Sequence, residues 1–128
     1  MSISSKLEAK CARGRALLER ACDAYEAGDL AAASQLFRKA ARLGNPNAQV
    51  NLGNLYDAGE GVEVSLGSAV RYYRLAAKNG LPEAAYNLAV AYRNRGKNRW
   101  SQFWLRRASA MGDSDATVEI AAVEKEKA

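Results

Sequence analysis

The chain has no histidine among its 128 residues. This absence removes the commonest general base, the Ser–His and Cys–His nucleophile pairs and the commonest metal ligand. The chain also lacks the run of about 18 apolar residues that a membrane helix needs, and its first residues form no apolar signal segment. We therefore expect a protein that is not an enzyme, holds no cofactor or metal, does not enter a membrane and resides in the cytoplasm.

Cysteine is nearly absent as well, since Cys11 and Cys22 are the only two. If both lie on one helix, a rise of about 1.5 Å per residue separates them by roughly 16 Å along its axis. A disulfide requires Cα atoms within about 7 Å, so the two thiols cannot pair within the chain. We expect reduced, buried thiols in a reducing compartment and no closed cysteine-rich zinc site.

Proline and glycine are too sparse for a low-complexity linker. Apolar residues make up 48% and charged residues 26%, the usual globular mixture, and the length suits one domain. The formal charge of +5 is unevenly distributed. Acidic residues cluster near the start, whereas the stretch from 93 to 107 contains no acid and six cations, Arg93, Arg95, Lys97, Arg99, Arg106 and Arg107. This excess favours acidic partners without identifying nucleic acid.

A repeat organises what is present. The segment from Gly44 to Ala48 recurs 36 residues later as Gly80 to Ala84, and more weakly from Gly112. Glycine ends a helix by adopting a left-handed backbone, and proline two residues later suits the first turn of the next helix. Apolar residues recur at spacings of three and four, which predicts amphipathic helices, and no alternating strand pattern competes. The pattern predicts an all-α fold of helix-turn-helix repeats.

The central repeat resembles the Sel1-like repeat, a relative of the tetratricopeptide repeat. The residues that carry the resemblance are Ala48, Leu52-Gly53, Leu55-Tyr56, Gly59-Glu60-Gly61-Val62, Ala69, Tyr72-Tyr73, Ala76-Ala77 and Gly80. The match is specific over 46–80 and partial over 82–112, where Arg95-Gly96-Lys97-Asn98 replaces the Gly-x-Gly-Val loop, and 14–44 is more similar to a tetratricopeptide motif. The resemblance implies one domain, 1–128, folded as a short right-handed α-solenoid with repeats at 5–44, 46–80 and 82–112 and a capping helix at 114–126.

The expected helices follow from the same pattern. Ser4 or Ser5 caps a first helix that runs to about Ala27, and further helices cover about 30–43, 47–57, 65–78, 83–93 and 99–110. Ser114 caps a last helix, whose Val118, Ala122 and Val123 cover the open end of the stack. We interpret Gly59-Glu60-Gly61 as a hinge between two helices, because it lacks the strand and the Gly-Lys-Ser/Thr ending of a phosphate loop.

Solenoids of this kind line a concave face with the first helix of each repeat, so the resemblance implies a partner-binding groove there. The candidate groove residues are Glu19, Asp23 and Glu26 in the first repeat, Val50, Asn54 and Asp57 in the second, and Tyr86, Val90 and Arg93 in the third. Such a groove runs from acidic to basic, with Tyr86 as an apolar anchor for a protein segment. The alternative is that these are ordinary solvated helix residues.

A second candidate patch consists of Arg99, Trp100, Phe103 and Arg106. Two large aromatics stand there at positions that are small or polar in the other repeats. We expect them to pack under the terminal helix or the shortened loop. The alternative is an exposed aromatic patch suited to a protein partner or to self-association.

The resemblance implies a non-catalytic protein–protein interaction module, a bacterial-type adaptor or regulator that binds a partner protein on its concave face. One alternative is an immunity protein that neutralises a secreted antibacterial toxin. A second is nucleic-acid binding through the Arg93–Arg107 basic cluster, with Trp100 and Phe103 as stacking residues, which the sequence makes the less favoured reading.

Overall fold

A computed structural model describes residues 2–127 of the chain. Within that range the backbone forms seven helices and no strand, as the repeat pattern predicted. The helices are α1 (Ile3–Glu26), α2 (Leu30–Arg42), α3 (Pro46–Ala58), α4 (Leu66–Lys78), α5 (Pro82–Asn94), α6 (Asn98–Ala110) and α7 (Ser114–Lys127). Each helix packs against the next one along the chain, and α3 also contacts α5. The result is three stacked helical hairpins followed by a last helix.

The corners between hairpins use the predicted glycine and proline. Gly44 and Gly80 have φ angles of +85° and +92°, in the left-handed region that residues with a Cβ rarely adopt. Pro46 and Pro82 then stand in the first turn of α3 and α5, where no amide hydrogen is required. At the first corner the Asn45 side chain also accepts a hydrogen bond of 2.9 Å from the Ala48 amide. Local chemistry alone therefore sets where these helices begin and end.

Two helix caps differ from the prediction. The hydroxyl of Ser2, and not that of Ser4 or Ser5, accepts a hydrogen bond from the Ser5 amide, so α1 begins earlier than expected. At α7 the carboxylate of Asp113 accepts from the Ala116 amide, and Ser114 is already helical. In both cases the cap lies three residues before the amide that it satisfies, which is the usual geometry.

Small residues form the seams between helices. Four alanines at these seams are at most 1% exposed: Ala69, Ala84, Ala89 and Ala108. Gly53 lies against the ring of Tyr73. A Cβ added at Gly53 would stand 2.7 Å from two atoms of that ring. Burial raises the pKa of the Tyr73 hydroxyl, which donates to Asn54. The alanines and this glycine let the aromatic and leucine side chains of neighbouring hairpins interdigitate.

The last helix covers the stack with a different face from the one expected. Val118 and Val123 are 67% and 44% exposed, and Ala122 is also exposed, so the prediction that these residues cover the end is wrong. Ala116, which is fully buried, holds α7 in the core. Ala116 is four residues after Gly112, as Ala48 and Ala84 are after their glycines, and that position fixes which face of the helix points inward.

The two cysteines both lie on α1, so the geometric argument against a disulfide applies to them. The expectation that both are buried is wrong, because Cys11 is exposed and Cys22 is half-buried. For Cys11 the reason is length: α1 has 24 residues and α2 only 13, so the first half of α1 extends beyond its partner helix. None of the helices in residues 2–127 combines the length and apolar character needed to cross a lipid bilayer.

Candidate partner-binding surfaces

The first helices of the hairpins, α1, α3 and α5, present one surface, which we call the first-helix face. Between α1 and α3 this face contains an open cavity of about 230 Å³. Its apolar lining comes from Phe37 and Leu55, and its remaining walls are polar or acidic. The lining residues are Cys22, Tyr25, Glu26, Phe37, Asn51, Asn54, Leu55 and Glu60. Two of the predicted groove residues, Glu26 and Asn54, therefore lie at a real depression.

The loop at Gly59-Glu60-Gly61 forms part of this cavity and is more than a hinge. Glu60 accepts a hydrogen bond of 2.9 Å from the hydroxyl of Tyr25, which ties the second hairpin to the first. That bond raises the pKa of Tyr25, because it stabilises the protonated phenol, and the carboxylate charge acts in the same direction. The backbone of Gly61 passes the carbonyl oxygen of Leu30 so closely that a Cβ would stand 2.5 Å from it.

The acidic residues predicted on α1, Glu19, Asp23 and Glu26, are all exposed. Asp23 and Glu26 act on the half-buried thiol of Cys22. Burial raises the pKa of Cys22, and the carboxylates of Glu26 and Asp23 raise it further, because each disfavours a second negative charge nearby. The beginning of the first-helix face is therefore open and acidic.

The middle of the predicted groove is largely occupied by contacts between hairpins. Val50 is only 3% exposed and belongs to the core cluster around Tyr73, so its assignment to a binding surface is wrong. Asn54 accepts hydrogen bonds from the Tyr73 hydroxyl at 2.6 Å and from the Asn87 amide at 3.2 Å. These groups hold the hairpins together, which reduces what they can offer to a partner.

Arg95 covers the part of the first-helix face around Asp57. Its guanidinium forms an ion pair of 2.6 Å with Asp57 and also donates to the carbonyl oxygen of Ala91 at 3.0 Å. The side chains of Arg95 and Asp57 are 27% and 25% exposed, so the pair is mostly shielded from water. Arg95 stands where the central repeat has its glycine loop, and that substitution was the visible signal for its separate role.

The third-repeat end of the face is covered by α7. Glu119 of α7 accepts a hydrogen bond from the Tyr86 hydroxyl and pairs with Arg93 at 2.9 Å. The bond to Glu119 raises the pKa of both Tyr86 and Arg93. Val90 is half-buried. Glu119 follows Gly112 by seven residues, as Asn51 and Asn87 follow their glycines, so the repeat register contained a signal for its inward position.

The aromatic patch of the third repeat is exposed, which overturns the expectation that it packs under the terminal helix. Trp100 and Phe103 are 55% and 50% exposed. Tyr92 stacks on Trp100 at 6.2 Å between ring centroids, and Phe103 meets Trp100 and Trp104 edge to face. The rings lie beside exposed Arg99 and Arg106. Their burial fails because α7 approaches α6 from another side, near Leu105.

The sequence matches the Sel1 repeat model at residues 25–45, 46–81, 82–97 and 101–113, which together exceed half of the chain. This chain belongs to the Sel1 repeat family. The longest of these segments, 46–81, covers α3, its glycine loop and α4. The break at 98–100 falls where α6 begins, directly after Arg95 and its shortened loop.

Two relatives with Sel1 repeats extend well beyond the length of this chain. The putative sel1-like repeat-containing protein L21 of Acanthamoeba polyphaga mimivirus is 35% identical over 65 residues, which are 51% of this chain and 12% of that protein. The crystal structure of a Sel1 repeat protein from Oxalobacter formigenes is 29% identical with a TM-score of 0.70, over 83% of this chain and 45% of that one. This chain therefore spans less than half of either relative.

A likeness in fold alone extends to the type III secretion chaperone SycD of Yersinia enterocolitica. That structure, solved with a peptide of the translocator YopD, matches at 16% identity with a TM-score of 0.68, over 89% of this chain and 94% of that one. Together with the Oxalobacter structure it supports an α-solenoid of the Sel1 and tetratricopeptide kind, as the sequence predicted.

Proposed function

We propose that this chain binds an extended segment of another protein in the cavity between α1 and α3. The observation that carries the proposal is an open depression with an apolar floor and an acidic rim on the first-helix face. Phe37 and Leu55 form its base but are each only 3% exposed, so the apolar surface open to one inserted side chain comes mainly from Tyr25, which is 40% exposed. Asn51 offers an amide that makes no hydrogen bond to another side chain within residues 2–127.

The charge around the cavity indicates the chemistry of the segment. Glu26 and Glu60 lie at the cavity, and exposed Glu19 and Asp23 precede it on α1. A segment that places lysine or arginine beside one apolar residue complements this arrangement, because the carboxylates attract the cations while the apolar side chain leaves water. Tyr86 and Arg93 contribute less, since Glu119 already engages them.

Repeats of this fold generally act as non-catalytic scaffolds for protein–protein interaction, and this supports the coarse assignment. The peptide held by the fold neighbour SycD supports, by analogy of fold, the idea that the partner contributes a segment. Adaptor, regulator and immunity protein all remain proposals for the role of such binding, because each requires only a bound protein partner. The identity of that partner distinguishes them.

Selection from a displayed peptide library tests the proposal. We expect enrichment of segments with lysine or arginine beside an apolar residue. Reversal of charge in Glu26→Lys should weaken the selected segments by about tenfold, since two like charges then meet at the rim. The matched control is Glu8→Lys, the same change on an exposed part of α1 away from the cavity, and it should leave affinity nearly unchanged.

Thiol footprinting provides the second measurement. Cys22 lines the cavity, whereas Cys11 is exposed elsewhere on the same helix and serves as an internal standard. A bound segment should slow modification of Cys22 and leave Cys11 unaffected. If both charge reversals weaken the affinity equally, or if the bound segment does not change the rate of Cys22 modification, the segment binds elsewhere.

The nucleic-acid alternative retains one supporting observation, the exposure of Trp100 and Phe103 beside Arg99 and Arg106. Exposed rings between cations are the features on which single-stranded bases stack. Oligonucleotide binding that weakens steeply with salt and is lost in Trp100→Ala would favour this alternative over a protein partner at the patch.

A further inference from the structure

The second helices of the last two hairpins, α4 and α6, enclose an open groove of about 900 Å³. It lies apart from the cavity between α1 and α3 and shares no residue with it. Its charged lining residues are Arg71, Arg74 and Lys78 from α4 and Arg107 from α6. No carboxylate of residues 2–127 lines it.

The cations of this groove are not neutralised within the described part of the chain. The ion pairs found in residues 2–127 join Arg93 to Glu119 and Arg95 to Asp57, and neither involves a groove residue. Four like charges on adjoining helices repel one another across this exposed groove, and a bound counter-charge would relieve that repulsion. The positive charge of the groove therefore has no ion-pair partner within residues 2–127.

Two of the cations are held in place over an aromatic floor. Trp104 is 8% exposed, and the guanidinium carbons of Arg74 and Arg107 lie 5.9 and 5.7 Å from the centroid of its ring. Attraction between a cation and the ring face restrains these long side chains before any ligand arrives. Restraint lowers the entropy that binding would otherwise lose, so the two guanidiniums are prepared to receive carboxylates.

Apolar side chains separate the cations. Leu75, which is 38% exposed, and Met111 line the groove together with two alanines. A ligand that fills it must therefore present apolar groups as well as negative charge. The floor offers little to a nucleic-acid base, because the Trp104 ring is buried and two guanidiniums already lie within 6 Å of its centroid.

We propose that this groove is a second binding site, which takes an acidic segment of a partner protein. Carboxylates of the segment pair with Arg74 and Arg107, while its apolar side chains pack on Leu75 and Met111. The proposal goes beyond the binding of a basic segment between α1 and α3, and either site can exist without the other. A chain with both sites bridges two segments of opposite charge.

Fluorescence anisotropy with a labelled short peptide of alternating glutamate, aspartate and leucine tests the second site. The peptide should bind, and its counterpart with glutamine and asparagine in place of the acids should bind at least about tenfold more weakly. The double variant R74Q/R107Q should weaken the acidic peptide by about tenfold or more, because it removes both guanidinium groups with which the carboxylates pair.

The matched control is R13Q/R15Q, which removes the same charge from exposed positions on α1 and should change affinity by less than about threefold. If circular dichroism shows R74Q/R107Q to be misfolded, R71Q/K78Q decides instead, since both side chains are exposed and the two cation–π pairs with Trp104 involve Arg74 and Arg107. That variant should weaken the peptide by about tenfold.

Three results would overturn the proposal. Equal losses in the groove and control variants would indicate diffuse attraction to a basic protein. Tighter binding of oligothymidine than of the acidic peptide, lost in R74Q/R107Q, would assign the groove to nucleic acid. Self-association that the acidic peptide disrupts and R74Q/R107Q abolishes would assign it to a second copy of this chain. Failure of the cavity experiment at Glu26 bears on none of these results.

Discussion

Alanine substitutions at Gly61 and Gly28 test how closely the first two hairpins approach each other. Both adopt left-handed φ angles, +72° and +83°. A Cβ at Gly61 would meet the carbonyl oxygen of Leu30 at 2.5 Å and its carbon at 2.8 Å, whereas a Cβ at Gly28 would have nothing within 4 Å. Alanine at either position meets the same backbone strain, so the two variants differ in steric contact alone.

The magnitudes follow from these two contributions. Left-handed backbone costs an alanine about 1–2 kcal/mol, and the stiffer unfolded chain returns about 0.4–1 kcal/mol. We therefore expect Gly28→Ala to lower the free energy of unfolding by about 1 kcal/mol. Gly61→Ala adds the collision with backbone that cannot rotate aside, about 1–3 kcal/mol more, for a loss of about 2–4 kcal/mol.

Urea denaturation followed by circular dichroism and tryptophan fluorescence measures both losses. In thermal melts each 1 kcal/mol corresponds to about 3–5 °C for a domain of this size. The reasoning is refuted if the two variants agree within about 0.5 kcal/mol, because the loop would then stand clear of Leu30. A loss confined to Gly28→Ala would contradict it equally.

Two further predictions concern the ion pair and the thiols. We expect Arg95→Ala and Asp57→Ala each to lower the free energy of unfolding by about 1–2 kcal/mol, with a coupling energy of about 1 kcal/mol in the double-mutant cycle. Strictly additive losses would mean that the ion pair of 2.6 Å contributes nothing to stability. A thiol reagent should modify exposed Cys11 quickly and half-buried Cys22 slowly, because the raised pKa of Cys22 leaves less thiolate at a given pH. The rate of Cys22 modification should therefore continue to increase at higher pH. Indistinguishable rates in the Cys11→Ser and Cys22→Ser variants would count against this assignment.

The two proposed sites carry opposite charge, as the uneven charge distribution along the sequence suggested. The cavity between α1 and α3 is acidic, and the groove between α4 and α6 is basic. The sequence identified the acidic part, through Glu19, Asp23 and Glu26, because these residues are close along one helix. It assigned the basic part to positions 93–107, whereas the groove takes only Arg107 from that stretch and its other cations, Arg71, Arg74 and Lys78, from α4. Residues this far apart along the chain become neighbours only when the hairpins stack.

The sequence by itself determined the helical fold, the positions of the corners and the small residues at the seams. These features are local, because a left-handed glycine, a proline two residues later and a spacing of three or four act within one or two turns. Tertiary structure alone decided that Val50 is buried and that Trp100 and Phe103 are exposed, and it decided which partners Glu119 meets, Tyr86 and Arg93. Periodicity identifies which residues share a helix face, but the rotation of each helix against its neighbours is set by packing across the whole stack.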